Sequence, residues 1–253
     1  MDVLYTVRCS DDAWDLRMSL RSLERNGKNV GRVVLAGGPF PDWLSDEAEK
    51  VSCGSPFDRK QKNILAAILT AMTRGAITGP CLLSSDDHFI MRPYDLDAFP
   101  WFCRQGAMAT MPDEAGYFRM GAGVTPYRGS IVATRRLLEL HGLPIEMVSG
   151  HANTHLDARD AKDVAALAGR FWETPYGYEP STLFIACARR RDPTIRFTPR
   201  ADVKVQGPLT CETLDRTEAA GDGLLSCGES ALCGDFRKWM EARFPEPSRW
   251  EKR

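Results

Sequence analysis

The reactive residues of this sequence concentrate in one short run, Leu83-Ser84-Ser85-Asp86-Asp87-His88-Phe89-Ile90. Two consecutive carboxylates follow Cys81-Leu82-Leu83, which reads as a buried strand. Carboxylates this close repel each other unless a cation or a basic group stands between them. A divalent ion that also bridges phosphate oxygens would relieve that repulsion. Asp86 and Asp87 are therefore candidate ligands of Mn²⁺ or Mg²⁺, an ion that would neutralise a leaving diphosphate. The competing reading is that the pair only caps the turn after a strand.

Other groups allow chemistry of the same kind. Arg59, Lys60, Lys62 and Asn63 open an amphipathic segment, Asp58 to Arg74, just before the Asp-Asp strand. They could direct amide and ammonium donors at a diphosphate, or form a solvated helix start. Lysine is unfavourable beside a helix N-terminus, which a bound anion would offset. His151 and His155 share a face if helical, and a neutral imidazole could complete a metal shell; the alternative is a pair of loop histidines. Asp113 and Glu114 are candidates for a general base that deprotonates an acceptor hydroxyl, against the reading of two solvated acids. Trp172, Tyr176 and Tyr178 offer a stacking surface or simple packing. Arg189, Arg190, Arg191, Arg196 and Arg200 are either a solvated helix end and loop or a phosphate-contacting patch.

The elements that must position these groups are legible in the first hundred residues. Val3 to Val7 reads as a buried strand, Asp12 to Asn26 as a helix braked by Asn26-Gly27, and Gly31 to Ala36 as a second strand. A short helix is predicted over Pro41 to Glu49, then a third short strand at Val51-Ser52. This alternation implies an α/β fold with a mainly parallel sheet, right-handed crossovers and a ligand crevice at the C-terminal strand ends, where Arg8 and Asp86 fall. Past Pro112 the pattern loosens, with helices predicted at Ile131 to His141, Ala158 to Phe171 and Gly234 to Phe244. Residues 1–112 are expected to form the ligand-binding half, and residues 113–253 the acceptor-side half with a C-terminal helical elaboration.

The 253 residues, 43% hydrophobic and 26% charged, suit a folded domain of this size. A formal net charge of -1 leaves no global basic field to drive polyanion binding. The eight cysteines contain no C-x-x-C pair, which removes a zinc ribbon or a thioredoxin-type motif. The opening run has no basic flank, and no apolar run approaches the roughly 18 residues of a membrane span. The expectation is a cytoplasmic protein with reduced thiols and no membrane span.

Several segments, in order, resemble the Stealth proteins and their phage-borne relatives, which are sugar or sugar-phosphate transferases. These are Leu4-Tyr5-Thr6 before Ser10-Asp11-Asp12-Ala13-Trp14, Leu16 to Asn26, Val30 to Leu35, Pro41-Asp42-Trp43-Leu44, Leu83 to Pro93, His155 with Lys162, and Phe244 to Glu251. The likeness touches most of the chain and is dense in the first hundred residues. It implies the nucleotide-sugar transferase architecture called GT-A, in which Asp86 and Asp87 hold a divalent metal and the donor diphosphate. His88 stands where the motif often carries another acid or an aromatic, and His155 falls in the later His segment; both are candidate ligands. Thr6, Arg8, Asp12, Arg59, Lys62 and Asn63 fall to donor binding, and Asp202 with Lys204 is similar to a late polar pair facing the cleft. Cys9 replaces the acid that the phosphotransferases carry after the opening strand. The expectation is therefore a metal-dependent glycosyltransferase moving a sugar from a nucleotide-sugar to a hydroxyl acceptor, whether polysaccharide, small molecule or hydroxymethylated DNA base. The alternatives are a hexose-1-phosphate transferase and a non-catalytic nucleotide-sugar-binding module.

Overall fold

The computed structural model describes residues 1–8, 12–103, 108, 111–121, 123–145, 152–200, 203–232 and 235–252. Its centre is a five-stranded sheet built from β1 (Asp2–Val7), β2 (Val33–Gly37), β3 (Ala48–Ser52), β4 (Pro80–Ser85) and β6 (Thr154–Asp157). The spatial order is β3-β2-β1-β4-β6; the first four run parallel and β6 runs antiparallel to β4. The chain is thus an α/β protein with a mainly parallel sheet flanked by helices.

Alternation of side chains along the strands decides which helix covers which face. Val3, Tyr5 and Val7 of β1 pack with Leu16, Leu20 and Leu23 of α1 (Trp14–Asn26), whereas Leu4 packs with Leu65 and Ile68 of α2 (Lys60–Thr73). Strands β2 and β4 follow the same division, with Val33, Leu35 and Leu82 toward α1 and Val34, Ala36, Cys81 and Leu83 toward α2. Both faces being covered, these strands read as near-continuous apolar runs. On the α2 side, α4 (Ala161–Ala168) and α5 (Pro180–Arg191) add Val164, Leu183, Phe184 and Cys187 to the same core as Leu156 of β6. Helix α3 (Pro126–Leu140) begins five residues before its expected start, where Thr125 accepts a hydrogen bond from the Arg128 amide and Pro126 occupies the first turn.

The chain leaves the central sheet at Asp86-Asp87 and enters a second one. Strand β5 (His88–Ile90) pairs antiparallel with β8 (Leu224–Cys227), which pairs parallel with β7 (Lys204–Val205). Phe89 and Leu225 pack there against Trp14 and Met18 of α1, and against Leu214 of α6 (Cys211–Ala220) and Phe236 and Trp239 of α7 (Asp235–Arg243). No helix among the described residues is long and apolar enough to cross a membrane.

One expected helix is not formed. The stretch Pro41 to Glu49 is a turn followed by the start of β3, because its backbone serves the C-terminal segment instead: Ser45 N donates to Trp250 O at 2.9 Å, Lys252 N donates to Trp43 O at 2.7 Å, and Leu44 bridges to Glu251. Glu251 in turn accepts two bonds from the Arg21 guanidinium, each 2.8 Å. The His155 segment is strand β6, with His155 opposite Leu82; His151 lies outside the described residues.

Gly37 ends β2 at φ +135°, and a Cβ there would lie 2.0 Å from the carbonyl oxygen of Val7. A side chain at this position is both strained and blocked by backbone. Gly37→Ala should destabilise the fold by about 2 kcal/mol or more. At roughly 2–4 °C per kcal/mol for a chain of this size, calorimetry should register a melting temperature lower by about 4–8 °C. An unchanged melting temperature would mean that the β1–β2 strand ends relax freely.

Candidate active site

The C-terminal ends of β1, β2 and β4 open onto a cavity of 520 Å³. Thr6, Val7 and Arg8 reach it from β1, Ala36 and Gly37 from β2, and Ser85, Asp86 and Asp87 from the exit of β4. Helix α1 contributes Asp15, the first turn of α2 contributes Lys60 and Asn63, and the second sheet contributes Lys204, Cys227 and the following Gly228 and Glu229. This is where a doubly covered parallel sheet holds its ligands.

The Asp86-Asp87 turn is fixed by buried hydrogen bonds to its flanks. Ser19 of α1 donates its hydroxyl to His88 O, Ser22 accepts from the Ile90 amide at 3.0 Å, and Asn26 donates to Ile90 O at 2.6 Å. Tyr5 OH and Ser19 Oγ lie 3.1 Å apart. On the other side, Cys227 N donates to Asp87 O at 3.2 Å. Within the turn, Asp86 Oδ1 accepts from Ser85 Oγ at 3.0 Å and from the Asp87 amide at 3.1 Å.

The two carboxylates are driven in opposite directions. Burial, and then the negative charges of Asp87 and Asp15, push Asp86 up to about 7. Burial also pushes Asp87 upward, but His88, Lys60 and Lys204 outweigh it and hold Asp87 below the usual carboxylate range. Asp15 is raised by burial, with a further push from Asp87. The turn therefore sets one acid that resists ionising beside one that ionises readily.

The cavity gathers part of the expected donor set, namely Thr6, Arg8, Asn63 and Asp86, together with Asp87. Asn63 also braces the loop before α2, accepting from Phe57 N at 2.9 Å and donating to Phe57 O at 2.8 Å. The other assignments move. Lys62 is 4% exposed, bound at 3.0 Å to Asp58 and at 2.9 Å to Trp172 O, and it is Lys60 that reaches the cavity. Arg59 donates to Pro175 O at 3.3 Å and Asp12 pairs with Arg237 at 3.1 Å; neither lines the cavity. Asp113 caps the short helix Glu114–Arg119 by accepting from Gly116 N at 2.6 Å, and Glu114 pairs with Arg136 at 3.1 Å, so neither faces the cavity as a base.

Of the histidines, His88 is buried in β5, with Nε2 3.7 Å from Asp87 Oδ1, and borders an adjoining smaller cavity. His155 is elsewhere: its Nε2 is 2.6 Å from Phe99 O and its ring stacks on Trp101 at 4.6 Å. Among the described residues, no three His, Cys, Asp or Glu side chains are grouped closely enough to hold a metal ion. Of the four expected ligands, Asp86 and Asp87 share the turn, His88 lies beside Asp87, and His155 lines neither cavity.

Three of the five arginines are tied to carboxylates, with Arg191 on Asp160 at 2.8 Å, Arg190 on Asp163 at 2.6 Å and Arg200 on Asp222 at 2.7 Å, while Arg196 donates to backbone carbonyls such as Thr194 O at 3.0 Å. Tyr176 packs against Gly129, where a Cβ would come within 2.5 Å of the ring, so packing is its role. Cys9 and Asp202 lie outside the described residues. Lys204 and Lys60, both named from the sequence, face the cavity, while Asp15 and Glu229 are additions to the site. No protein-family model matches the sequence, and no curated protein matches it significantly.

The Asp86 carboxyl gives this geometry a pH signature. Its pKa is about 7 in the folded protein against about 3.9 for an unfolded aspartate, so the native state binds more protons between those values. Stability therefore falls as pH rises from about 4 through 7. Asp86→Asn should remove this component, so that thermal melts of the variant gain on the parent between pH 5 and pH 8. Parallel stability curves would show that Asp86 ionises normally.

Proposed function

We propose that the cavity binds a nucleotide-sugar together with Mn²⁺ or Mg²⁺, and that the protein is a cytoplasmic glycosyltransferase of GT-A architecture acting on a hydroxyl acceptor. The observation that carries this reading is the union, in one cavity at the C-terminal strand ends, of the Asp86-Asp87 pair with Lys60 and Lys204. Its 520 Å³ lies within the roughly 300–1,000 Å³ of small-molecule sites.

The residues present fit a divalent ion. Asp86 is pushed up by burial and by the neighbouring carboxylates, a repulsion that a bound cation would relieve. Two protein oxygens suit Mg²⁺ or Mn²⁺, which keep several positions for phosphate oxygens and water. When bound, the ion would supply positive charge for the departing diphosphate. Asp86 and Asp87 hold it, Lys60 and Lys204 meet phosphate oxygens as point charges, and Arg8 adds a fork of donors at the end of β1.

Mn²⁺-dependent hydrolysis of a panel of nucleotide sugars tests the reading, and the nucleotide released separates glycosyl transfer (a diphosphate) from hexose-1-phosphate transfer (a monophosphate). Asp87→Asn should lower turnover by a hundredfold or more with little change in melting temperature; retained activity would remove the metal assignment. Lys60→Ala should weaken nucleoside diphosphate binding about tenfold, since a hydrogen bond to a charged group contributes roughly 1.5–3 kcal/mol. Lys62→Ala should lower the melting temperature while leaving that affinity unchanged. The reverse pattern would return donor binding to Lys62.

A further inference from the structure

A second cavity of 230 Å³ adjoins the first and shares Thr6, Lys60, Ile64, Ser85 and Asp87 with it. Asp87 and Lys60 thus border both spaces, while the far wall comes from the second half of the chain: Tyr127 of α3, Ala152 before β6, and Glu179, Pro180 and Ser181 at the start of α5. At about 30 Å³ per liquid water, the space corresponds to about eight waters. That accommodates one substituted ring and falls short of the roughly 300 Å³ at which sites for larger ligands begin.

The lining is poor in cations. Its ionisable acids and bases other than histidine are Lys60, Asp87 and Glu179, and Glu179 is committed to capping α5 through Thr182 N at 2.7 Å. Among the described residues no arginine lines it, so apart from His88 a polyanion would meet one cation and two carboxylates. Hydroxyl and amide groups from Ser84, Ser181 and Gln61 alternate there with the apolar surfaces of Leu83, Pro180 and Tyr127. That mixture matches a ring with C–H faces and hydroxyl edges.

We propose that this chamber is the acceptor site and that it takes a single neutral, hydroxyl-bearing ring, the only or terminal sugar of the acceptor, across Asp87 and Lys60 from the donor. The proposal rests on the donor reading of the larger cavity for its role in transfer, whereas binding of a neutral ring stands on the chamber alone. It favours a glycan or small polyol acceptor and opposes a DNA base.

The test is calorimetric titration of the full chain with methyl glycosides of hexoses, pentoses and N-acetylhexosamines, with and without Mn²⁺ and a nucleoside diphosphate. Two variants fill the chamber, Ser181→Leu at a buried position and Gln61→Tyr at a half-buried one, and melting temperatures establish which of them folds. At least one glycoside should bind the parent and lose tenfold or more in each folded variant, while nucleoside diphosphate affinity stays unchanged. The proposal is overturned if no glycoside binds the parent, if binding survives in the folded variants, or if a single-stranded oligonucleotide binds and is lost in them instead. Failure of the nucleoside diphosphate to bind would remove the donor reading, and the nucleotide-free titration would still decide the chamber.

Discussion

Two serine hydroxyls on α1 hold the point at which the chain changes sheets. Between Ser85 and His88 the backbone leaves the parallel ladder, and β5 then pairs with β8. That leaves groups of His88 and Ile90 facing a helix, and Ser19 and Ser22 satisfy them. A buried backbone group left unpaired costs about 1–3 kcal/mol, so a helix with an unbroken apolar face could not support this switch. Because the switch is held, the two aspartates have nowhere to lie except in the turn between the sheets, at the mouth of the cavity.

The site's electrostatics follow from that placement. Adjacent carboxylates on a tight turn cannot both be comfortable in a partly enclosed space, and the surrounding charges divide them, with His88 first, then Lys60 from one half of the chain and Lys204 from the other, favouring Asp87. Asp86, with Asp87 and Asp15 as its neighbours, takes the unfavourable share. The charge states of Asp86 and Asp87 are thus set by β5, a helix start and a strand of the second sheet together. Cavity, charge balance and sheet switch are one structural arrangement seen from three sides.

The order of β1, α1, β2, α2 and β4 was legible because each segment carries its own period: short apolar runs for buried strands, and apolar stripes interrupted by charge for helices. The place of Asp86 and Asp87 followed from the strand before them. Segments whose partners lie far along the chain were not legible. Pro41 to Glu49 has turn and helix residues in equal measure, and it is residues 250–252 that make it a bridge. His155 looks available for chemistry in the sequence, but pairing with β4 turns it into the core against Phe99 and Trp101. Asp113 and Glu114 were similarly absorbed by a helix cap and an ion pair. Polar residues in sequence are candidates for function until their local hydrogen-bond partners are known.

Strand β3 is the outermost parallel strand of the central sheet, and its pattern of burial has a consequence for how molecules meet. Ala48 and Val51 turn inward, while Glu49, Lys50 and Ser52 stand in water. An uncovered strand edge is a template on which a neighbour's strand can add, and it is blunted when docking must desolvate charges. Glu49 already engages Arg32 at 3.2 Å and Lys50 engages Asp46 at 3.5 Å, so an incoming strand would have to strip water from a charged border of both signs. The border that frames the sheet also guards against edge-to-edge aggregation, keeping a β-rich core from extending itself into a fibre.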